Sequence, residues 1–307
     1  MQAIVYKSTG SRYIVKNKSG DTFNVRIKGK FKIDNITSTN PIAVGDIVEI
    51  ENEDDIESAI ITEIYERKNY INRVSPHNKN QHHIVAANLD QSLLFATLKE
   101  PKTSLGFIDR FLVISEAYQV PAIIVFNKID LWGDKEKKKI EHIRNLYESI
   151  GYKIVLISLT DNEGTDDLKK LLKDKTTLLS GHSGVGKSTF INRIFPELHL
   201  KTQDVSGWSG KGMHTTTFAE MFDLPDGGKI IDTPGIREMG LVDINKNELA
   251  HYFPEMKSMM VNCQFNNCMH INEPDCGIKK GVNDFTIDTD RYVSYLNILD
   301  SINDKNY

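Results

Sequence analysis

The sequence has little cysteine, no long hydrophobic run and no excess of positive charge. Its only three cysteines lie between positions 263 and 276, and this small odd number excludes a disulfide network as the main source of stability. Apolar runs such as 121–126 fall far short of the roughly 20 residues that a membrane-spanning helix needs. The first residues lack the charged start and the apolar segment of a secretory signal. We therefore expect a cytoplasmic protein without a membrane partner.

Charge is distributed unevenly near the start of the chain. The net charge of −4 over 307 residues excludes a uniformly basic nucleic-acid binder, but not a local basic face. Positions 1–32 contain eight lysines and arginines and one acid, whereas positions 33–66 contain ten acids and no lysine or arginine. Short segments such as 22–27 alternate apolar and polar residues between turn signals. We predict an RNA-binding barrel of the oligonucleotide-binding type over residues 1–69, with a solvated surface on a generic barrel as the alternative.

From about residue 88 the pattern changes to strands that alternate with helices. Buried strands are predicted at 91–97, 122–126, 153–158 and 177–180. Helices are predicted at 107–118, 135–150 and 188–195. Continuous apolar strands that alternate with helices are typical of a parallel sheet covered on both faces, which we assign to residues 70–237. Residues 238–307, which are polar and hold every cysteine, form the third predicted domain.

The strongest motif is a phosphate loop. Gly181-His-Ser-Gly-Val-Gly-Lys187-Ser188 fits G-x-x-x-x-G-K-[ST] and stands between a predicted strand and a predicted helix. Small residues let backbone N–H groups converge on an anion, and the helix N-terminus adds positive partial charge. We expect Lys187 to reach the β- and γ-phosphates of a nucleotide and Ser188 to bind Mg²⁺. The nucleotide-binding candidates here are Gly181, His182, Ser183, Gly184, Val185, Gly186, Lys187, Ser188 and Thr189.

A second motif, Asn127-Lys128-Ile129-Asp130, follows the predicted strand 122–126. The Asp130 carboxylate can accept two N–H groups from the edge of guanine, a donor pair that adenine lacks. Asn127 can address the other edge of the base, Lys128 can cover its face, and Ser158 can add a backbone contact. An ordinary turn at a strand end would explain these four residues alone. Together with a phosphate loop in the same sheet, they predict GTP as the nucleotide.

Two later segments are candidates for sensing the γ-phosphate. Asp232-Thr-Pro-Gly235 follows another predicted strand, so its carboxylate can hold Mg²⁺ and the Gly235 N–H can meet the γ-phosphate. A capped turn is the alternative. The glycine- and hydroxyl-rich loop 206–217 supplies a threonine for the Mg²⁺ shell, with Thr216 first and Thr215 second by position.

The residue that positions the attacking water is the least determined. Familiar GTPases place a glutamine just after the glycine of the Asp-x-x-Gly loop, whereas this sequence has Ile236, which cannot hydrogen-bond to water. We therefore expect slow intrinsic turnover and acceleration by a partner. His214, in the threonine loop, is the catalytic candidate, and a contact to RNA or backbone is its alternative role.

The motifs occur in an unusual order, because Asn127 precedes Lys187. A circular permutation preserves the sheet if the old ends are joined between about 160 and 176 and new ends open after the Asp232 loop. The segment that senses the γ-phosphate then leads straight into the C-terminal region. Nucleotide state could reach that region directly.

The C-terminal region carries a metal-ligand pattern, Cys263-x₄-Cys268-x-His270-x₅-Cys276. Three thiolates and an imidazole make a tetrahedral Zn²⁺ set with no open position, so we predict one structural zinc ion. Three ordinary reduced cysteines near a histidine are the alternative.

Taken together, these motifs resemble the circularly permuted, ribosome small-subunit-dependent GTPase A family. The segments 87–90, 107–110 and 214–217 also look like family segments, so the resemblance covers nearly the whole chain. It implies an oligonucleotide-binding barrel, a permuted GTPase core and a helical zinc-binding tail. It further implies GTP hydrolysis stimulated by the small ribosomal subunit, late in assembly of that subunit. We expect the partners to be the small subunit and its rRNA, and the protein to be a monomer. Two other functions remain open: an RNA-binding assembly module with negligible turnover, and a P-loop ATPase or small-molecule kinase.

Overall fold

A five-stranded closed barrel opens the chain. The computed structural model describes residues 1–9, 12–27, 41–52, 59–74, 82–196, 219–232 and 244–302. The barrel strands are β1 (Gln2–Ser8), β2 (Tyr13–Asn17), β3 (Thr22–Ile27), β4 (Ile47–Asn52) and β5 (Ala59–Ile64). They pair in the order β1-β2-β3-β5-β4, and β4 pairs back to β1. Alternate apolar side chains of these strands fill the interior, as the period of two requires. The predicted small barrel is confirmed.

A hairpin that the sequence did not indicate follows the barrel. Its strands, β6 (Tyr70–Val74) and β7 (His82–Ala87), form a two-stranded sheet, and β7 makes one further bridge, from Ala86 to Val44 of the barrel. Asn69 then ties the hairpin to the next segment, since its side chain donates to the Leu89 carbonyl at 2.9 Å and accepts the Leu89 N–H at 2.8 Å.

The central domain is a six-stranded sheet. Its strands are β8 (Gln91–Ala96), β9 (Ala122–Phe126), β10 (Lys153–Leu156), β11 (Thr176–Ser180), β12 (Glu220–Asp223) and β13 (Lys229–Asp232). They lie in the order β10-β9-β8-β11-β13-β12, parallel except for β12. Neighbouring residues of β8 belong to different hydrophobic clusters, Leu93 and Phe95 to one and Leu94 and Ala96 to the other. Apolar layers therefore cover both faces, as a parallel sheet needs.

Helices cover these faces, and the three that the sequence predicted lie within one or two residues of their predicted bounds; α3 was not predicted. They are α1 (Leu105–Ala117), α2 (Asp134–Ser149), α3 (Thr165–Leu172) and α4 (Lys187–Ile194). The start of α1 is earlier than predicted because the Ser104 side chain caps it by accepting the Phe107 N–H. Helix α3 lies inside the predicted joint at 160–176. If the chain is read from β11 onward, the phosphate loop comes first, which is the order of an unpermuted GTPase.

Short helices form the C-terminal region. Helices α5 (Pro254–Met259), α6 (Gly277–Asn283) and α7 (Thr289–Ser301) pack with 3₁₀ turns at Lys246–Tyr252 and Met260–Asn262. Their apolar side chains make a separate cluster that also takes in Val113 of α1. None of the described helices is long and apolar enough to cross a membrane. The fold is thus a barrel, a permuted α/β domain and a mostly helical C-terminal region, as predicted.

Candidate nucleotide site and metal centre

The predicted nucleotide-binding segments begin where parallel strands end. The guanine motif follows β9, the phosphate loop follows β11, and β8 lies between these two strands. Since the strands are parallel, their carboxyl ends share one edge of the sheet, where open α/β sheets bind ligands.

Close backbone approaches shape the phosphate loop. Gly181 (φ +134°) and Gly186 (φ +103°) adopt conformations that L side chains rarely take. A Cβ at Gly181 would lie 2.4 Å from the Phe95 carbonyl oxygen on β8. The Lys187 ammonium donates to the carbonyls of Gly181 at 2.6 Å and His182 at 2.9 Å. The lysine thus lies folded along its own loop, at the start of α4.

Asn127 joins the two motifs directly. Its Nδ2 donates to the carbonyl of Val185, in the phosphate loop, at 2.9 Å, and the residue is 2% exposed. A Cβ at Gly186 would come within 2.2 Å of the same Nδ2, so this approach requires glycine. The sequence predicted Asn127 at the base, whereas its amide N–H here holds the loop, and its Oδ1 has no hydrogen-bond partner among the described residues. Two motifs that are far apart and in reversed order along the chain are therefore in direct contact.

Ser158 orients the predicted base-reading carboxylate. Its hydroxyl donates to Asp130 Oδ1 at 2.8 Å and accepts the Asp161 N–H at 3.1 Å. Ser158 is buried and Asp130 is exposed. Lys128 has φ +65°, which turns the chain between Asn127 and Asp130. The sequence predicted only a backbone contact from Ser158 to the base, and the hydrogen bond from its hydroxyl to Asp130 was missed.

The candidate Mg²⁺ ligands are partly described. Ser188 is the second residue of α4, and Asp232 ends β13 in register with Leu179 of β11. A hydroxyl and a carboxylate at one sheet edge suit a hard cation such as Mg²⁺. His214, Thr215, Thr216 and Gly235 lie outside the described residues.

The four predicted zinc ligands come together in the C-terminal region. The ligand atoms of Cys263, Cys268, His270 and Cys276 all lie within 4.8 Å of one another. His270 Nδ1 is 3.6 Å from the Cys263 sulfur and 3.4 Å from the Cys276 sulfur. A tetrahedral zinc, about 2.3 Å from sulfur and about 2.0 Å from nitrogen, would separate such atoms by about 3.5 Å. The donor set and its spacing therefore fit zinc.

Hydrogen bonds hold this cluster from outside. The Tyr292 hydroxyl donates to the His270 carbonyl at 2.6 Å, and the Tyr295 hydroxyl donates to the Met269 carbonyl at 2.8 Å. The Glu273 carboxylate accepts the N–H of Met269 at 2.7 Å and those of the two residues after His270. Both tyrosines belong to α7, so this helix fixes the backbone that presents the ligands.

Burial shifts the pKa of two of these ligands, Cys268 and His270. Burial first, and then the neighbouring Cys276, raises the pKa of the Cys268 thiol to about 12. Burial lowers the pKa of His270, which keeps the imidazole neutral and able to coordinate. Several thiolates in one buried cluster need a cation to become stable. The cluster is thus suited to a resident divalent metal.

Comparison with known families decides the relationship. The RsgA GTPase family matches residues 64–242, and the RsgA N-terminal domain matches residues 2–60. The chain belongs to the RsgA GTPase family. It is therefore a P-loop GTPase, an enzyme that hydrolyses GTP.

Sequence similarity to relatives with the same family name covers nearly the whole of this RsgA-family chain. A "Small ribosomal subunit biogenesis GTPase RsgA" from Flavobacterium psychrophilum is 48% identical over 302 residues, 98% of this chain and 93% of that protein. The protein of the same name from Cytophaga hutchinsonii is 50% identical over 301 residues, 97% of this chain and 98% of that protein.

Solved structures show the same architecture. The crystal structure of YjeQ from Thermotoga maritima is similar with a TM-score of 0.79 and 32% identity, covering 99% of both chains. YloQ, described as a circularly permuted GTPase, has a TM-score of 0.73 and 28% identity and covers 100% of this chain and 96% of that one. The permutation inferred from motif order is thus shared with solved RsgA-like structures.

Proposed function

We propose that this chain binds the small ribosomal subunit and its rRNA and hydrolyses GTP there, late in maturation of the subunit, with turnover that the subunit stimulates. The Asn127–Val185 hydrogen bond carries the nucleotide part of this proposal, because it joins the guanine motif to the phosphate loop. The names of the two relatives, which refer to small ribosomal subunit biogenesis, support the small subunit as the partner.

In the proposed reaction, water attacks the γ-phosphate in line and GDP leaves. The protein contributes position and charge rather than covalent chemistry. Loop N–H groups and the start of α4 hold the phosphates, and Lys187 leaves its carbonyl partners to offset phosphate charge. Asp130, oriented by Ser158, accepts the two guanine N–H groups. Ser188, Asp232 and Thr216 would hold Mg²⁺, which would neutralise further phosphate charge when GTP is bound, and the Gly235 N–H would meet the γ-phosphate.

We assign water positioning to His214, since Ile236 cannot hydrogen-bond to the nucleophile. The expected consequence is slow turnover of the chain alone and faster turnover on the subunit. The His214→Ala variant should keep its affinity for GTP. Its subunit-stimulated turnover should fall about 100-fold, the usual loss when one group that positions or activates the attacking water is removed. The exposed His142→Ala variant is the matched control. Stimulation of His214→Ala at the wild-type level would remove His214 from the mechanism.

The two outer domains complete the proposal. The zinc ion is structural, since four protein ligands leave no open position. In this proposal the lysines and arginines of segment 1–32 contact RNA, apart from Lys7 and Lys16, which pair with acids of the central domain. We assign the protein to the cytoplasm, as a monomer.

The decisive experiment is phosphate release from GTP with no additive, with small subunits and with large subunits. We expect acceleration by small subunits only. Subunit binding with negligible turnover would favour the RNA-binding module instead. Equal use of ATP would contradict the role of Asp130 and favour an ATPase.

A further inference from the structure

A ring contact attaches helix α1 to the phosphate loop. The rings of Phe107 and His182 have centroids 3.7 Å apart and planes inclined by 30°. Phe107 lies in the first turn of α1, whose start is capped by Ser104. His182 is the second residue of the phosphate loop and also has a carbonyl that accepts from Lys187. The position of this ring therefore bears on the segment expected to hold the phosphates.

The next turn of α1 is fixed by the C-terminal region. Arg291 of α7 donates to Asp109 at 2.6 Å, and both side chains are 1% exposed. The same guanidinium bonds Glu255 of α5 at 2.7 Å and lies over the Phe253 ring, 4.5 Å from its centroid. We call the Asp109–Arg291–Glu255 set the clasp. The Tyr147 hydroxyl also donates to Asp109, at 2.6 Å, and connects the clasp to α2.

Helix α1 also belongs to two cores at once. Ile108, Phe111 and Leu112 pack in a core of the central domain, whereas Val113 packs in the C-terminal core. On the outside, Arg110 donates to Ser301 at the end of α7 at 2.8 Å. A helix packed in this way moves as a unit, so a shift of α7 would displace Phe107.

We propose that Phe107 is a positioning residue for the phosphate loop, acting through His182, and that α7 sets the place of Phe107 through the clasp. The inference rests on the proposed nucleotide site and adds a second connection from that site to the C-terminal region, besides the chain segment after Asp232. Because α7 also carries the tyrosines that hold the zinc cluster, the connection runs from phosphate loop to metal ligands. By linkage, anything that shifts α7 changes nucleotide affinity, and the nucleotide changes α7 in return.

The first test measures affinity for fluorescent GDP in the full chain. Phe107→Leu keeps apolar volume and loses the ring, so we expect three- to tenfold weaker binding, roughly the factor that one aromatic pair contributes. Phe107→Tyr keeps the aromatic ring, so it should bind GDP with wild-type affinity. Phe111→Leu, one turn along the same helix and buried in the central core, is the matched control and should lower thermal stability while leaving GDP affinity unchanged.

A double-mutant cycle separates contact from general packing. If the ring pair carries the effect, Phe107→Leu should add nothing in a His182→Ala background. Equal losses of affinity in Phe107→Leu and Phe111→Leu, or additive effects in the cycle, would overturn the proposal. If the wild-type chain itself bound no GDP, that result would disprove the proposed nucleotide site and, with it, this inference.

The clasp has its own test. Arg291→Lys keeps the charge and loses the fork, so GDP affinity should fall in the same direction as in Phe107→Leu and not add to it. Arg144→Lys, at an exposed pair on α2, is the matched control. Tyr147→Phe removes one donor to Asp109 with the ring kept, and it tests the clasp if Arg291→Lys does not fold. Affinities at the wild-type level in a folded clasp variant would disprove the role of α7.

Discussion

The central domain meets its two neighbours in different ways. Strand β1 of the barrel pairs with β12 at Lys7 and Glu220, and ion pairs of partly exposed side chains, such as Lys16–Asp223, flank the contact. The C-terminal region instead shares helix α1 and joins it through the wholly buried Asp109–Arg291 pair. Exposed pairs are worth little, whereas breaking a buried one leaves an uncompensated charge. Breaking an ion pair at the barrel junction should therefore cost less than breaking the buried pair at the C-terminal junction.

The largest effect should come from removing the metal from the C-terminal side. Binding of a structural zinc contributes on the order of 10 kcal/mol to folding of small zinc modules. We expect the purified chain to contain one zinc ion, and a strong chelator to lower its melting temperature and expose the three thiols to a thiol reagent. Zinc added back should reverse both changes. A metal-free chain with an unchanged melting curve would contradict the metal centre.

Breaking the buried clasp should come next. Arg291→Met removes the partner of Asp109 and Glu255 and should lower the free energy of unfolding by about 3–5 kcal/mol. Lys16→Met at the barrel junction is the comparison, and it should cost at most about 1 kcal/mol. Denaturant unfolding of both variants gives the two values. Similar losses at the two junctions would remove the distinction between them.

The smallest effect concerns pH at the barrel junction. Burial alone would raise the pKa of Asp223, but hydrogen bonds from Lys16 and Tyr6 outweigh it and lower the pKa. A depressed folded pKa gives stability that is present above the unfolded value of about 3.9 and is lost as the pH falls through the folded one. Asp223→Asn should therefore melt lower than wild type at pH 7, and the difference should shrink below about pH 4. A difference independent of pH would contradict the ionic origin.

Local motifs predicted most of the candidate site, and long-range contacts supplied the rest. Gly181–Ser188 and Asn127–Asp130 could be recognised because each depends on a few neighbouring residues in one turn. The Asp109–Arg291 pair joins residues 182 positions apart, and no spacing rule connects them. The sequence also did not predict the pairing of β1 with β12, because packing between domains, rather than a local pattern, determines which strand each of them pairs with. Segment 107–110 resembles the family, but the sequence assigned no role to its residues. The structure gives them contacts to the phosphate loop and to α7.

The account depends most on one pocket in which Asp130 reads guanine beside the phosphate loop. Asp130→Asn exchanges an acceptor for a donor at the base edge, and Asp130 is exposed, so the fold should tolerate it. Competition of GTP, ATP and xanthosine triphosphate for the wild-type chain and this variant tests the claim directly. We predict that the wild type prefers GTP. The variant should bind GTP at least tenfold more weakly and prefer xanthosine triphosphate, because residue 130 then no longer accepts the guanine N–H groups. An unchanged preference for GTP in Asp130→Asn would contradict it.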